Sequence, residues 1–232
     1  MADSKERLGS KSGRTASPLH VFVAPTRAVD KIIHFVRHGE GTHNVTHNYH
    51  LEDEFDAFLT QEGKRQARQA GHVLKDHPIE LVVASPLSRA LQTAEGALAV
   101  YPAKPPVVVH EACREGMQFG KEPCNRRRPV KDILYAFPVV EDFHFHHHPE
   151  ARHDHDSGWR GNETYEDLVQ RAKAFLDFVA KRPETHIAVF SHSVFLHAMF
   201  SDAVVCERGI RTSHFHNGEV RTVGMIIGES DA

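Results

Sequence analysis

The 232-residue chain predicts an α/β protein: three layers, α/β/α, built on a mostly parallel sheet and carrying an inserted cap segment. Short runs rich in β-branched and aromatic residues recur along it: KIIHFV (Lys31–Val36), ELVVA (Glu80–Ala84), PVVVH (Pro106–His110) and HIAVF (His186–Phe190). Each has the character of a buried strand. Between them lie segments with apolar residues at helical spacing, and strands alternating with helices pair in parallel under cover on both faces. The regularity fails between Cys113 and Gly161, a stretch too long for a plain connector. An insertion of about 113–162 that covers a site is the expectation.

Taken in order, residues 1–28, rich in Ser, Lys, Arg and Gly, are expected to be a flexible tail. It has no apolar stretch like a signal peptide, and Asp3 and Glu6 argue against a transit peptide. Residues 29–232 read as a single domain. Thr60 is a capping residue for a helix over Thr60–His77, whose Ala67, Ala70, Val73 and Leu74 share one face. Leu87–Val100 is the next helix. Leu168, Ala172, Phe175 and Val179 make the apolar stripe of Thr164–Lys181, and a further helix begins at Ser191 and runs to about Phe200. Glu219–Ile227 closes the chain as an edge or antiparallel strand.

Composition narrows the function. A net charge of −3 argues against nucleic acid or an anionic membrane as partner. No apolar run approaches the roughly 18 residues a membrane span needs. Cys113, Cys124 and Cys206 show no CxxC spacing, which fits free thiols in a reducing compartment, the cytoplasm, and gives no zinc signature. The patch His144–His155 has metal-ligand residue types, yet its spacing matches no defined site, so surface histidines of the insertion are expected. Trp159, Phe143 and Phe145 fit either cap or core packing. Neither a metal nor a cofactor is called for.

The chemistry sits where strands end. FVRHGEGTHN places Arg37, His38 and Gly39 at the carboxyl end of the first long strand, where open α/β sheets bind ligands. Arginine offers a fork of donors to phosphate, and histidine can act as nucleophile near neutral pH. SPLSRALQT puts Arg89 in the first turn of a helix. FSHS puts His192 at a helix N-terminus, a place that favours an anion. HEACREG offers Glu111 and Glu115. Two arginines and two histidines at strand ends describe a pocket for a doubly charged phosphoryl group.

The set RHGEGTHN, SPLSRALQT, CREG and FSHS resembles the histidine phosphatase superfamily, also called phosphoglycerate mutase-like, from about Lys31 to Ile227. Cys113-Arg114-Glu115 with Pro123-Cys124-Asn125-Arg126-Arg127 resembles a CRE…PC[DN]-x-RR pattern of plant and fungal phosphoglycerate mutase-like proteins. The resemblance implies a phosphoglycerate mutase-like fold. It implies His38 as the nucleophile that becomes phosphohistidine, with Arg37, Arg89 and His192 holding the phosphoryl oxygens and Asn44 touching the same group. Glu115, rather than Glu111, matches the proton donor to the leaving oxygen. Ser193 stands where much of the superfamily has glycine but keeps its backbone amide for substrate, and His43 replaces an aromatic. Arg126 and Arg127 are candidates for a remote anion of the substrate, against the alternative of a solvated charged face. No ERHYG-type segment surrounds Glu115, which favours hydrolysis. The expectation is a metal-independent phosphatase acting on a small phosphorylated metabolite. A phosphomutase and a non-catalytic phosphoryl-binding relative are the alternatives.

Overall fold

In the computed structural model, the described residues are 21–22, 29–101, 104–117, 120–145, 156, 162–204 and 214–227. Most of the tail, Cys206, Trp159 and all of the histidine-rich patch beyond Phe145 lie outside them.

The strands are β1 (Val21–Phe22), β2 (Lys31–Arg37), β3 (Leu81–Ala84), β4 (Val107–His110), β5 (Val140–His144), β6 (His186–Ser191) and β7 (Val220–Met225). They form one sheet in the order β1-β7-β2-β6-β3-β4-β5. From β2 through β6, β3, β4 and β5 every pairing is parallel, and β7 runs antiparallel to β2. Val21 and Phe22 fall inside the stretch read as a tail, and they pair in parallel with Arg221 and Thr222 of β7.

Alternation along each strand sends side chains to two cores. Ile33, Phe35, Val83 and Val189 join Leu168, Ala172, Phe175 and Val179 of α5 (Tyr165–Lys181) and Phe195 of α6 (Ser193–Ala198). Val36, Val82, Ala84 and Phe190 join Ala70 and Leu74 of α2 (Gln61–Leu74) and Leu91, Ala94 and Ala97 of α3 (Ser88–Leu98). The result is the three-layer arrangement the alternating pattern predicts.

Local chemistry sets the helix starts. The Thr60 hydroxyl accepts from the Gly63 amide at 3.0 Å, and Thr164 and Asp167 form a reciprocal capping box at the start of α5. The irregular stretch after Cys113 is richer than its sequence suggests. It holds α4 (Val130–Ala136) and β5, which extends the sheet by one edge strand. Only Ile133 is buried in α4 and only Val140 in β5, so neither segment has enough apolar periodicity to stand out. The short α1 (Thr42–Thr46) within the loop after β2 is equally hidden in the sequence.

Strand register brings the functional loops together. Arg37 of β2 lies level with Ser191 of β6, and Ala84 of β3 lies level with Phe190. The residues that leave the sheet after these positions therefore emerge side by side.

Candidate active site

His38 and His192 are those residues, and their rings stand 5.0 Å apart. The His38 amide still bonds the Ser191 carbonyl at 2.9 Å, so the nucleophile candidate is anchored to the sheet by its own backbone. Its Nδ1 donates to the Gly39 carbonyl at 2.6 Å, which leaves the lone pair on Nε2. The loop that makes this possible is pressed against α2. A Cβ on Gly39 would meet the Gly63 carbonyl at 2.4 Å, so only glycine permits the approach. The Gly39 amide is taken by the Thr93 hydroxyl at 3.0 Å, and Thr93 itself donates to the Arg89 carbonyl at 2.7 Å.

Arg89 is 1% exposed and spends its donors on fixed partners. Nε points at His38 Nε2 across 3.2 Å, Nη1 bonds the Cys124 carbonyl at 2.6 Å, and Nη2 bonds Asn125 Oδ1 at 2.7 Å. Arg37 reaches the Phe215 carbonyl through Nη1 at 2.7 Å, while its buried Nε has no partner among the described residues. His192 bonds the Ser85 hydroxyl through Nε2 at 2.7 Å, and its Nδ1 is likewise without a partner there. A buried donor or acceptor left unpaired costs stability, and a bound oxyanion would restore the loss.

The electrostatics are one-signed at this end. Burial, then the Arg89 and Arg37 charges, hold the His38 imidazole well below the usual histidine range. Burial and Arg89 do the same to His192, and burial with Arg89 and Arg37 takes His43 to about 2. The imidazoles stay neutral beside two guanidinium groups, so the pocket floor attracts a dianion while His38 Nε2 stays unprotonated.

Above that floor opens a cleft of about 340 Å³, lined by Arg37, His38, Asn44, Arg89, Glu115 and Ser193 together with His43, Tyr49, Glu122, Cys124 and Asn125 among others. Asn44 accepts from the Gly41 amide at 3.0 Å and from Asn217 at 3.3 Å. Glu115 Oε1 takes the Gly116, Val194 and Phe195 amides at 3.0, 3.0 and 3.1 Å. The first turn of α6 is thus occupied by the protein's own carboxylate, where the sequence suggested room for a ligand anion.

Arg126 and Arg127 are not among the residues lining the cleft. Arg126 lies over the Phe55 ring at 4.5 Å. Arg127 is buried, with Nε on Glu111 and its amide on Asp156 at 2.9 Å. Asp156 also accepts from Arg114 at 2.7 and 2.8 Å, so Glu111, Arg114, Arg127 and Asp156 close one ion network beneath the cleft wall. Glu111 is thereby a structural partner, with Glu115 the carboxylate on the cleft side.

The family model described as histidine phosphatase superfamily (branch 1) matches residues 33–228. The chain belongs to that superfamily. Phosphoglycerate mutase-like protein 1 of Arabidopsis thaliana is 34% identical over 237 residues, covering 84% of this chain and 81% of that protein. A protein of Schizosaccharomyces pombe named as a probable phosphatase is 32% identical over 173 residues, covering 73% of this chain and 77% of its own. Among solved structures, the ecdysone phosphate phosphatase of Bombix mori in complex with tungstate shares the fold, with a TM-score of 0.58, 16% identity, and coverage of 83% of this chain and 88% of that one.

Within this member of the superfamily, several residues at the site take roles that the sequence motifs do not reveal. Ser85 opens and Thr93 closes the SPLSRALQT stretch, Asn125 sits in PCNRR and Asn217 in a turn; Asn125 lines the cleft, and the other three bond His192, Gly39 and His38 around it. Asn217 donates to the His38 carbonyl at 3.2 Å and the Gly218 amide bonds the Arg37 carbonyl at 3.1 Å, so the turn before β7 braces the loop that carries His38 from behind. Cys113 and Cys124 are buried free thiols.

Proposed function

We propose that this chain is a phosphatase that hydrolyses phosphomonoesters through a phosphohistidine on His38. The observation that carries the reading is the state of that ring: Nδ1–H bound to the Gly39 carbonyl, Nε2 unprotonated, and the Arg89 Nε 3.2 Å away. A phosphoryl group arriving there meets a nucleophile in the right tautomer and a cation already in place.

In the first step, Nε2 attacks phosphorus, the P–O bond to the alcohol breaks, and Glu115 gives its proton to the leaving oxygen. Three amides fix Glu115 through Oε1, so Oε2 is the oxygen that carries the proton in this reading. Arg89 shifts its Nε–H from the imidazole to a phosphoryl oxygen as the N–P bond forms. Arg37 Nε and His192 Nδ1, unpartnered among the described residues, are the further groups that fit the equatorial oxygens. The Gly39 carbonyl stabilises the positive charge that develops on the ring. In the second step Glu115, now a carboxylate, takes a proton from water, the water oxygen attacks phosphorus, the N–P bond breaks, and orthophosphate leaves. The relatives support the reading in kind: one is named as a probable phosphatase, and the Bombix mori structure of the same fold holds tungstate.

The test is release of inorganic phosphate from para-nitrophenyl phosphate in excess chelator and without any bisphosphorylated primer, together with capture of labelled phosphate on the protein. Turnover that survives His38→Ala would overturn the proposal.

A further inference from the structure

The cleft that receives the phosphoryl group changes sign as it opens. Among the described residues that line it, the permanent cations are Arg37 and Arg89, both committed to the floor, while the carboxylates are Glu115 and Glu122. Arg126 and Arg127, the cations that could have met a second anion, are held by Phe55 and by the Glu111–Asp156 network instead. Glu122 is held in position through Asn125. Asn125 Nδ2 donates to Glu122 Oε2 at 2.8 Å, and the oxygen of the same carboxamide accepts from Arg89 Nη2 at 2.7 Å. One amide therefore spaces an acidic group from the phosphoryl-binding guanidinium. On the phosphatase reading, the leaving alcohol extends from the phosphoryl group into the part of the cleft that Glu122 and Asn125 line.

From this arrangement we infer that the substrate is a monophosphate ester whose alcohol portion carries a cationic amine and no second anion, with Glu122 as the residue that reads it. The inference rests on the phosphatase reading of the same cleft and adds the class of alcohol. An ammonium group two carbons from the ester oxygen gains an attractive partner in Glu122. A carboxylate or second phosphate in that position meets Glu122 while Arg37 and Arg89 are engaged by the phosphoryl group. Like charges brought together reject a ligand more firmly than missing contacts do. Tyr49 and the Asn125 carboxamide complete a wall that can also meet hydroxyls. The selectivity comes from repulsion as much as from attraction.

The experiment separates this inference from the one beneath it. Binding of phosphoethanolamine and of 3-phosphoglycerate to the His38→Ala protein is measured by calorimetry at pH 7.5, where no turnover confuses the result. Phosphoethanolamine is expected to bind at least about tenfold more tightly. Adding Glu122→Gln is expected to shrink that ratio to less than about threefold, and Glu122→Asp to preserve most of it. Equal or tighter binding of 3-phosphoglycerate, or a ratio untouched by Glu122→Gln, would overturn the inference. Hydrolysis of para-nitrophenyl phosphate by the unmodified chain is scored alongside: its absence counts against phosphatase activity, and the binding ratio still decides the alcohol class.

Discussion

Arg89 Nε aims at His38 Nε2 across 3.2 Å, so under the proposed mechanism the guanidinium that stabilises the transferred group already marks where that group sits. The two residues come from different elements, β2's loop and the first turn of α3. They are joined a second time through Thr93, which bonds both the Gly39 amide and the Arg89 carbonyl. Catalysis by preorganised charge depends on such fixed donors, because they need not reorient as charge develops.

Arg89→Lys tests that dependence. Lysine keeps the charge but cannot reach His38, the Cys124 carbonyl and Asn125 at once. A kcat/KM lower by about 100-fold is expected, since removing one preorganised donor costs on the order of 10²–10³. The kinetic readout is steady-state hydrolysis of para-nitrophenyl phosphate. Activity within about threefold of the unmodified chain would mean that charge alone suffices.

Gly63 offers a second test, and it works through the backbone. A Cβ there would fall 2.1 Å from the Glu40 carbonyl, on the far side of the contact that Gly39 makes. Gly63→Ala must push α2 away from the catalytic loop. An alanine in a helix interior gains about 1 kcal/mol over glycine from chain entropy, whereas overpacking costs about 1–3 kcal/mol. A net loss of stability with a lower kcat is expected from chemical denaturation and kinetics run on the same protein. An increase in stability would show the contact to be soft.

Much of this site is legible in the sequence. His38, Arg37, Arg89 and His192 follow apolar runs closely, and a residue after a buried strand can only emerge at the sheet edge. The helices of the main layers announce themselves through buried stripes such as Leu168, Ala172, Phe175 and Val179. What stays hidden shares a different cause. Asn217 matters for hydrogen bonds to the distant His38 and Asn44, and a lone asparagine in a turn has no periodicity to read. Arg127 misleads for the converse reason: in the sequence it belongs to a run of cations, while its partners Glu111 and Asp156 are remote in the chain. The acidic wall at Glu122 appears only when the lining residues are considered together.

Stability should fall on mild acidification. His38, His43 and His192 all have folded-state values depressed below the ordinary histidine value, chiefly by burial. In that case the unfolded chain binds more protons as pH drops through about 6.5, so their stabilising contribution is present above that pH and is lost below it. With all three neutral in the fold, the loss between pH 7.5 and 5.5 is about 4 kcal/mol. His43→Gln should remove about a third of that slope. Denaturant melts at the two pH values provide the measurement, and a midpoint that does not move would contradict the neutral-cluster picture. Saturating vanadate or tungstate should raise the melting temperature at pH 7.5, since a ligand at about 100 times its Kd adds about 2.7 kcal/mol.

The turn that braces Arg37 is itself held by an ion pair. Glu219 and Arg221 form a buried pair at 2.6 Å, the Glu219 carboxylate also holds the His216 amide at 2.6 Å, and Arg221 stacks over Phe215 at 3.7 Å. The Phe215 carbonyl is in turn the partner of Arg37 Nη1. Glu219→Ala leaves Arg221 charged in a buried setting and frees the turn at the same time. Breaking one half of such a pair costs about 3–5 kcal/mol, and replacing both halves with apolar residues costs far less. The double change Glu219→Leu with Arg221→Met should therefore recover most of the lost stability. It should not recover KM, because the turn that carries the Phe215 carbonyl would still lack the bond from the His216 amide to the Glu219 carboxylate, keeping only the backbone bond between the two residues. A cycle in which stability and KM return together would show that the pair supports the fold alone and leaves Arg37 placed by the β-sheet.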